Sequence, residues 1–331
     1  MSADAERTTP RGGLSLTMLR YFVMELILVA LILVLVVAAP GFASLPNLLN
    51  VLRAVSMLGI IAFGMTAVII AGEIDLSVGA GAALAGCILG WTCGALTDSI
   101  GPWPAVAIGA LAAIAVGIGC GVFTGKMRQW FNVPSFITTL AMLAGLRGIA
   151  NLISGGFPIT SFPKGFNFLG AGNVGGVPTP VFFFLAVFAA MHVLMKYTSF
   201  GRAVYAVGGN AEASRLSGID VYGTKTLALA ITGGLTALSG MLIASQIGSG
   251  NGTAATGMEL NVIAAVIIGG TSLFGGKGRI WGTLLGVLFL GCINNGMVLM
   301  NVSEYWRLVV SGATILAAVL LNQVLERGIK R

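Results

Sequence analysis

Long apolar runs separated by short polar gaps dominate the chain. The first extends from Tyr21 to Ala39, with Glu25 as its only charge. Others fall at about 55–71, 77–97, 104–124, 133–153, 180–196, 224–243, 260–274, 281–300 and 305–325. A bilayer core of about 30 Å takes roughly 20 apolar helical residues to cross. The pattern therefore predicts an all-α, polytopic membrane helix bundle of about ten transmembrane helices. The gap at 72–76 is short and the run 260–274 falls slightly below spanning length, so one of these elements can be broken or re-entrant. The first run is longer than the apolar core of a signal peptide and more spans follow, so it reads as a span. The domain reading is a cytoplasmic tail at 1–20, one transmembrane domain at 21–325 with a central cytoplasmic loop at about 197–223, and a cytoplasmic tail at 326–331.

Composition agrees with this pattern. Of 331 residues, 56% are hydrophobic and 9% are charged, against about 25% charged in soluble domains. That excludes a soluble enzyme, a nucleic-acid-binding domain and a disordered chain. The net charge of +7 does not signal a nucleic-acid partner, because the basic residues are scattered through the gaps. With the N-terminus inside, 14 of the 18 Lys and Arg fall on the inner side and only Arg53, Lys164 and Arg307 outside, with Arg147 inside a span. This bias orients both termini toward the cytoplasm. Cys87, Cys93, Cys120 and Cys292 sit in apolar runs without a CxxC pair, so neither a disulfide framework nor a metal site is indicated.

Small residues recur every fourth position at Gly86, Gly90 and Gly94, and at Gly109, Ala113, Gly117, Gly121 and Gly125. Such stripes let helix backbones approach closely in lipid, and packing is the favoured reading. An internal parallel repeat is also expected. Residues 67–72 read Ala-Val-Ile-Ile-Ala-Gly and residues 265–270 read Ala-Val-Ile-Ile-Gly-Gly. Each is followed by a polar, glycine-containing break and a further small-residue span.

Three polar features carry candidate chemistry. Glu73 and Asp75 interrupt apolar sequence, and charge at membrane depth lines a cavity or meets a partner. They read either as a gate on a translocation path or as a short turn in which Asp75 or Ser77 caps the next helix. Between Lys196 and Lys225 the connector is long. Within it Asn210 suits an N-cap, residues 211–217 a short helix, and Gly218 a left-handed stop. A soluble partner could grip that helix. Third, Asn294 and Asn295 lie in the ninth span and suit either a polyhydroxylated solute or a neighbouring helix, the latter being the default. Arg147 needs a carboxylate, a carbonyl or a water-filled path, and His192, the only histidine, reads as packed. The segment 269–278 fails as a phosphate loop, because Thr271 stands where the first Gly belongs and Gly278 follows Lys277.

Three segments together resemble one family. These are Gly72-Glu73-Ile74-Asp75-Leu76-Ser77-Val78-Gly79, then 208–219 (Gly-Gly-Asn-Ala-Glu-Ala-Ser-Arg-Leu-Ser-Gly-Ile), and 259–273, beginning Glu259-Leu260-Asn261. They are similar to signatures of the membrane permease subunits of bacterial ABC importers for monosaccharides of the ribose/xylose/arabinose/galactose type. The match runs from about 45 to 325. Asn261 stands where the family commonly has Asp, which alters a charge assigned to the outer mouth.

The resemblance implies a non-catalytic permease in the bacterial inner membrane, without a cofactor or metal of its own. It forms the path for a monosaccharide or sugar-like polyol. The implied partners are a second permease subunit, an ATPase with two nucleotide-binding domains, and an extracytoplasmic binding protein. Gly201, Arg202, Asn210, Glu212, Arg215, Leu216 and Gly218 then serve coupling to the ATPase. Glu73, Asp75, Ser77, Asn294 and Asn295 are candidates for the path or its gates. Other cargoes (a branched-chain amino acid, a nucleoside) and an ion-coupled secondary transporter are the alternatives.

Overall fold

The computed structural model describes residues 23–327. The tail 1–20, the first two residues of the first apolar run and residues 328–331 lie outside the described residues. Thirteen helices are described: α1 Val23–Ala38, α2 Leu45–Ile70, α3 Val78–Ile100, α4 Pro102–Phe131, α5 Ser135–Ser154, α6 Phe168–Ala171, α7 Thr179–Tyr197, α8 Ser199–Gly209, α9 Ala211–Leu216, α10 Val221–Ile247, α11 Met258–Ile268, α12 Ile280–Leu299 and α13 Glu304–Arg327. Strands β1 Asn173–Val174 and β2 Val177–Pro178 form one small antiparallel hairpin. Its turn is Gly175-Gly176, both with positive φ, as a two-residue hairpin requires.

Seven of the described helices are long and apolar enough to cross a membrane: α2, α3, α4, α5, α7, α10 and α12. The ten-run reading thus resolves into seven such helices plus α1, α11 and α13. Two boundaries differ from the sequence reading. α2 begins at Leu45 rather than near 55, because Asn47 and Arg53 are accommodated inside the helix by partners across the bundle: Asn47 bonds to Asn295, and Arg53 donates to Asn173 Oδ1 at 2.8 Å. The run 260–274 becomes the 11-residue α11, because Gly269 and Gly270 end the helix. At 1.5 Å per residue α11 covers only about 16 Å, half a bilayer core.

Successive long helices run in alternating directions, which fixed contacts reveal. Thr66 bonds Thr283 at 2.7 Å and Asn47 bonds Asn295, so α2 and α12 are antiparallel. Trp281 donates to Glu25 and Leu35 packs on Gly296, so α1 runs parallel to α12 and opposite to α2. Phe63 packs in tilted contacts on Phe184 and Phe188, with centroids 5.2 and 5.4 Å apart, placing α7 along α2. One end of the bundle consequently gathers Lys126, Arg128, Lys196, Arg202, Arg215, Lys225, Lys277 and Arg279. Arg53, Lys164 and Arg307 lie at the other.

The core sits on α2, where Ile60, Ile61, Phe63, Met65 and Ile69 are fully buried among α7, α10, α11 and α12. The α4 stripe is a packing surface. Gly117 lies against the backbone of Gly233, Gly121 against Leu229 and Gly125 against Thr226, all on α10. Gly86 meets Ala244, whereas Gly90 and Gly94 receive Ile159, Phe162 and Ser161. Small residues thus bring backbones together where the bilayer offers no hydrophobic drive.

Candidate functional site

The segment between α7 and α10 folds as two helices. Thr198 opens α8, its hydroxyl accepting from Gly201 N. Gly201 is buried against the Met195 carbonyl, so a side chain there would part α8 from α7. The sequence pattern marks α9 but not α8. Asn210 caps α9, its Oδ1 accepting from Ala213 N at 3.0 Å. Gly218, at φ +82°, closes it, and Ile219 N donates back to Ser214 O. Arg202, Glu212, Arg215 and Leu216 are exposed, Leu216 at 75%. Arg215 Nη2 donates to Glu212 Oε1 at 2.6 Å. These hydrogen bonds, with the Arg215 charge, hold the Glu212 carboxyl below the usual carboxylate range. Its contribution is present above that range and fades as pH falls through the lowered value, well below neutral pH.

Two helix breaks lie at this same end. In the first, Gly72 has φ +79°, Gly72 N donates to Ile69 O and Glu73 N to Val68 O. The second has the same closure: Gly270 at φ +86°, Gly270 N to Ile267 O and Thr271 N to Val266 O. Gly276 N donates to Ile70 O at 2.9 Å and joins the two breaks directly. Gly208 of α8 fits between them, against the Ile70 carbonyl and the Gly276 amide. Tyr205 Oη donates to Gly278 O at 2.9 Å.

The first break is polar but closed. Glu73, 5% exposed, accepts from Lys225 Nζ at 2.6 Å and Arg128 Nε at 3.3 Å. Asp75 accepts from Ser77 N at 2.8 Å and Ser77 Oγ at 2.6 Å. Ser77 occupies the N-cap position of α3 without a cap bond of its own, so the turn is tied by Asp75. Ile74 N and Leu76 N donate to Ser135 and Thr139 at the start of α5. Asp75, Ser77 and Thr236 line a cavity of about 20 Å³ between α3, α4 and α10. That holds one water, not a sugar. The buried Thr236 hydroxyl has no partner among the described residues.

Asn295 and Asn47 exchange both amide bonds, at 2.8 and 2.9 Å, which seals α12 to α2. Asn294 is half-buried beside this pair. Asn295→Ala should lower stability by about 0.6–1.7 kcal/mol, the range for such bonds between membrane helices. A thermal melt in detergent reads that change.

Arg147 finds carbonyl partners: Nη1 donates to Gly252 O at 2.8 Å and Ala254 O at 2.7 Å. Those carbonyls belong to residues 248–257, an irregular strand of chain that descends beside α3 and α5 before α11 begins. Non-helical backbone at membrane depth is tolerated only when protein surrounds it. Glu259 and Ala255 reach Gly79 at the start of α3, so the first turn of α11 packs against the first turn of α3. His192 packs between Phe188 and Tyr197.

Tyr205, Gly208, Arg128 and Lys225 carry no mark in the sequence of the roles they take here. Lys225 is 152 residues from Glu73 and has no local sign of its partner.

A multi-helix membrane bundle with broken helices, and an exposed helical segment seated on the breaks, defines a transport permease. Residues 47–319 match the family model described as the permease component of the branched-chain amino acid transport system. The chain is 40% identical over 299 residues to the ribose import permease protein RbsC of Escherichia coli K12, covering 89% of this chain and 91% of that one. It is 41% identical over 295 residues to RbsC of Bacillus subtilis 168, covering 88% and 89%. It is 31% identical over 378 aligned positions to the xylose transport system permease protein XylH of E. coli K12, covering 96% and 95%. No solved structure matches. The chain belongs to this family of bacterial ABC-importer permeases. It is a multi-pass membrane protein and the non-catalytic subunit of its transporter, binding no cofactor itself.

Proposed function

We propose that the chain forms the translocation path of a monosaccharide importer, with a pentose such as ribose or xylose as cargo. The observation that carries the coupling half of this reading is the seating of α8 and α9. They present Leu216, Glu212, Arg215 and Arg202 to solvent while Gly208 and Tyr205 touch both helix breaks. The cargo half rests on the ribose and xylose permeases it resembles. An ATPase with two nucleotide-binding domains grips the exposed segment around Gly201, Arg202, Asn210, Glu212, Arg215, Leu216 and Gly218. An extracytoplasmic binding protein delivers the sugar to the opposite end. A second permease subunit completes the path against α4 and α5, of whose spans only 22% is buried.

The bundle end rich in Lys and Arg faces the cytoplasm, with both terminal tails, in keeping with the positive-inside rule. Ten membrane-crossing elements fit this orientation, with α11 and residues 248–257 together making one. The matched closures at Gly72 and Gly270 support an internal parallel repeat. Asp75 and Ser77, which line the small cavity at the first break, form a gate there, while the carboxylate of Glu73 is taken up by two cations; Asn294 and Asn295 flank the path on α12. A branched-chain amino acid cargo, named in the family description, is the second reading.

The test is uptake of labelled ribose, xylose and leucine into vesicles holding the complete importer. Uptake of a pentose, blocked by ATP depletion and not by collapse of ion gradients, is the expected result. Leucine uptake alone would favour the second reading. Arg215→Glu places like charges at i and i+3 on α9. It should leave insertion intact and cut uptake by about tenfold. Wild-type uptake with that variant would remove Arg215 from the coupling surface.

A further inference from the structure

We propose that the buried Glu73–Lys225 ion pair is the link that carries movement of α9 into the first helix break, and that the Tyr205–Gly278 hydrogen bond is its counterpart at the second. This rests on the importer reading above and assigns a positioning role to residues that contact neither ATPase nor solute.

The connection from α9 to Lys225 has little slack. Only residues 217–220 separate α9 from α10. Gly218 turns the chain, Ile219 N is tied to Ser214 O, and Asp220 Oδ1 accepts from Gly223 N at 2.9 Å to cap α10. Lys225 follows in the second turn of α10, its side chain 11% exposed. It reaches Glu73 Oε1 at 2.6 Å, whereas Arg128, 27% exposed, reaches the same oxygen at 3.3 Å. The shorter, drier contact therefore comes from the element joined to α9. Glu73 is itself fixed to the end of α2 through its own N–H. A shift of the first turns of α10 thus pulls on residues 71–77 through a charge-assisted bond that low surrounding dielectric strengthens.

On the other side, Tyr205 projects from α8 to the Gly278 carbonyl, and Gly208 occupies the seam between Ile70 and Gly276. The coupling segment thus reaches the second break directly through Tyr205, and the first through the 217–220 turn and Lys225 of α10. This gives Glu73 a different duty from a solute-facing gate residue: its carboxylate is occupied by two cations, and the nearest cavity is lined by Asp75 and not by Glu73.

The experiment uses the reconstituted full transporter with its binding protein, and reads ATP hydrolysis with and without sugar-loaded binding protein, sugar uptake, and the abundance of assembled complex. Glu73→Gln keeps the shape and removes the charge. It is expected to assemble at wild-type abundance and keep basal hydrolysis, while uptake and stimulation by the loaded binding protein fall about tenfold. Lys225→Met should do the same, Lys225→Arg should restore most of the loss, and Glu73→Gln with Lys225→Met should be no worse than either alone. Tyr205→Phe tests the second contact in the same assay. Wild-type stimulation in Glu73→Gln, additive losses in the double variant, or losses that merely track missing complex would overturn the proposal. Absence of stimulation in the wild-type transporter would instead sink the importer reading itself.

Discussion

Gly121→Leu should remove folded protein, whereas Gly119→Leu, two residues away on the same helix, should be tolerated. A side chain at Gly121 would enter the backbone of Leu229, and Gly117 is likewise pressed on Gly233. Both contacts are backbone against backbone, so no rotamer change relieves them. Overpacking of this kind costs 1–3 kcal/mol where side chains can yield, so about 3 kcal/mol or more is expected here. Gly119 faces open space, and a substitution there should stay within about 0.5 kcal/mol. Size-exclusion profiles and thermal melts in mild detergent check both variants. Equal behaviour of the two would mean that α4 and α10 do not meet as described.

The second large effect is expected at Arg147. Arg147→Met keeps the length and apolar stem but strips Gly252 and Ala254 of their hydrogen-bond donor. Hydrogen bonds to a charged group are worth about 1.5–3 kcal/mol each, and carbonyls left unpaired away from water add to the loss. A destabilisation of about 3 kcal/mol or more should follow. Ala255, the residue after one of these carbonyls, already sits at φ +54°. The signature is local: protease cleavage or amide exchange should rise first within 248–257, ahead of global melting. A uniform loss across the molecule, or none, would show that Arg147 does not anchor this loop.

Features encoded by neighbouring residues are legible in the amino-acid sequence itself. Asn210 and Gly218 bracket α9 because an Asx cap and a left-handed stop act within one turn. The α4 glycine stripe announces a close helix contact because its spacing is that of one helix face. Long-range pairings leave no such trace. The carboxylate at Glu73 offers two readings, and its cations come from α4 and α10, 55 and 152 residues away. The start of α2 is hidden because Arg53 and Asn47 look like loop residues until Asn173 and Asn295 are set beside them. The short α11 is visible as a deficit of apolar length. The depth of residues 248–257 is not, because glycine- and threonine-rich chain reads as an outer loop unless Arg147 is known to reach it.

That descending loop also constrains how the protein is made. Residues 248–257 are too polar to enter a bilayer unaided, and their backbone groups need hosts already in position. Those hosts, Arg147 on α5 and the start of α3, emerge from the ribosome about a hundred residues or more earlier. Synthesis from the N-terminus therefore builds the receptacle before its occupant. Circular permutants that reverse this order should stall at insertion even though their finished contacts would be identical.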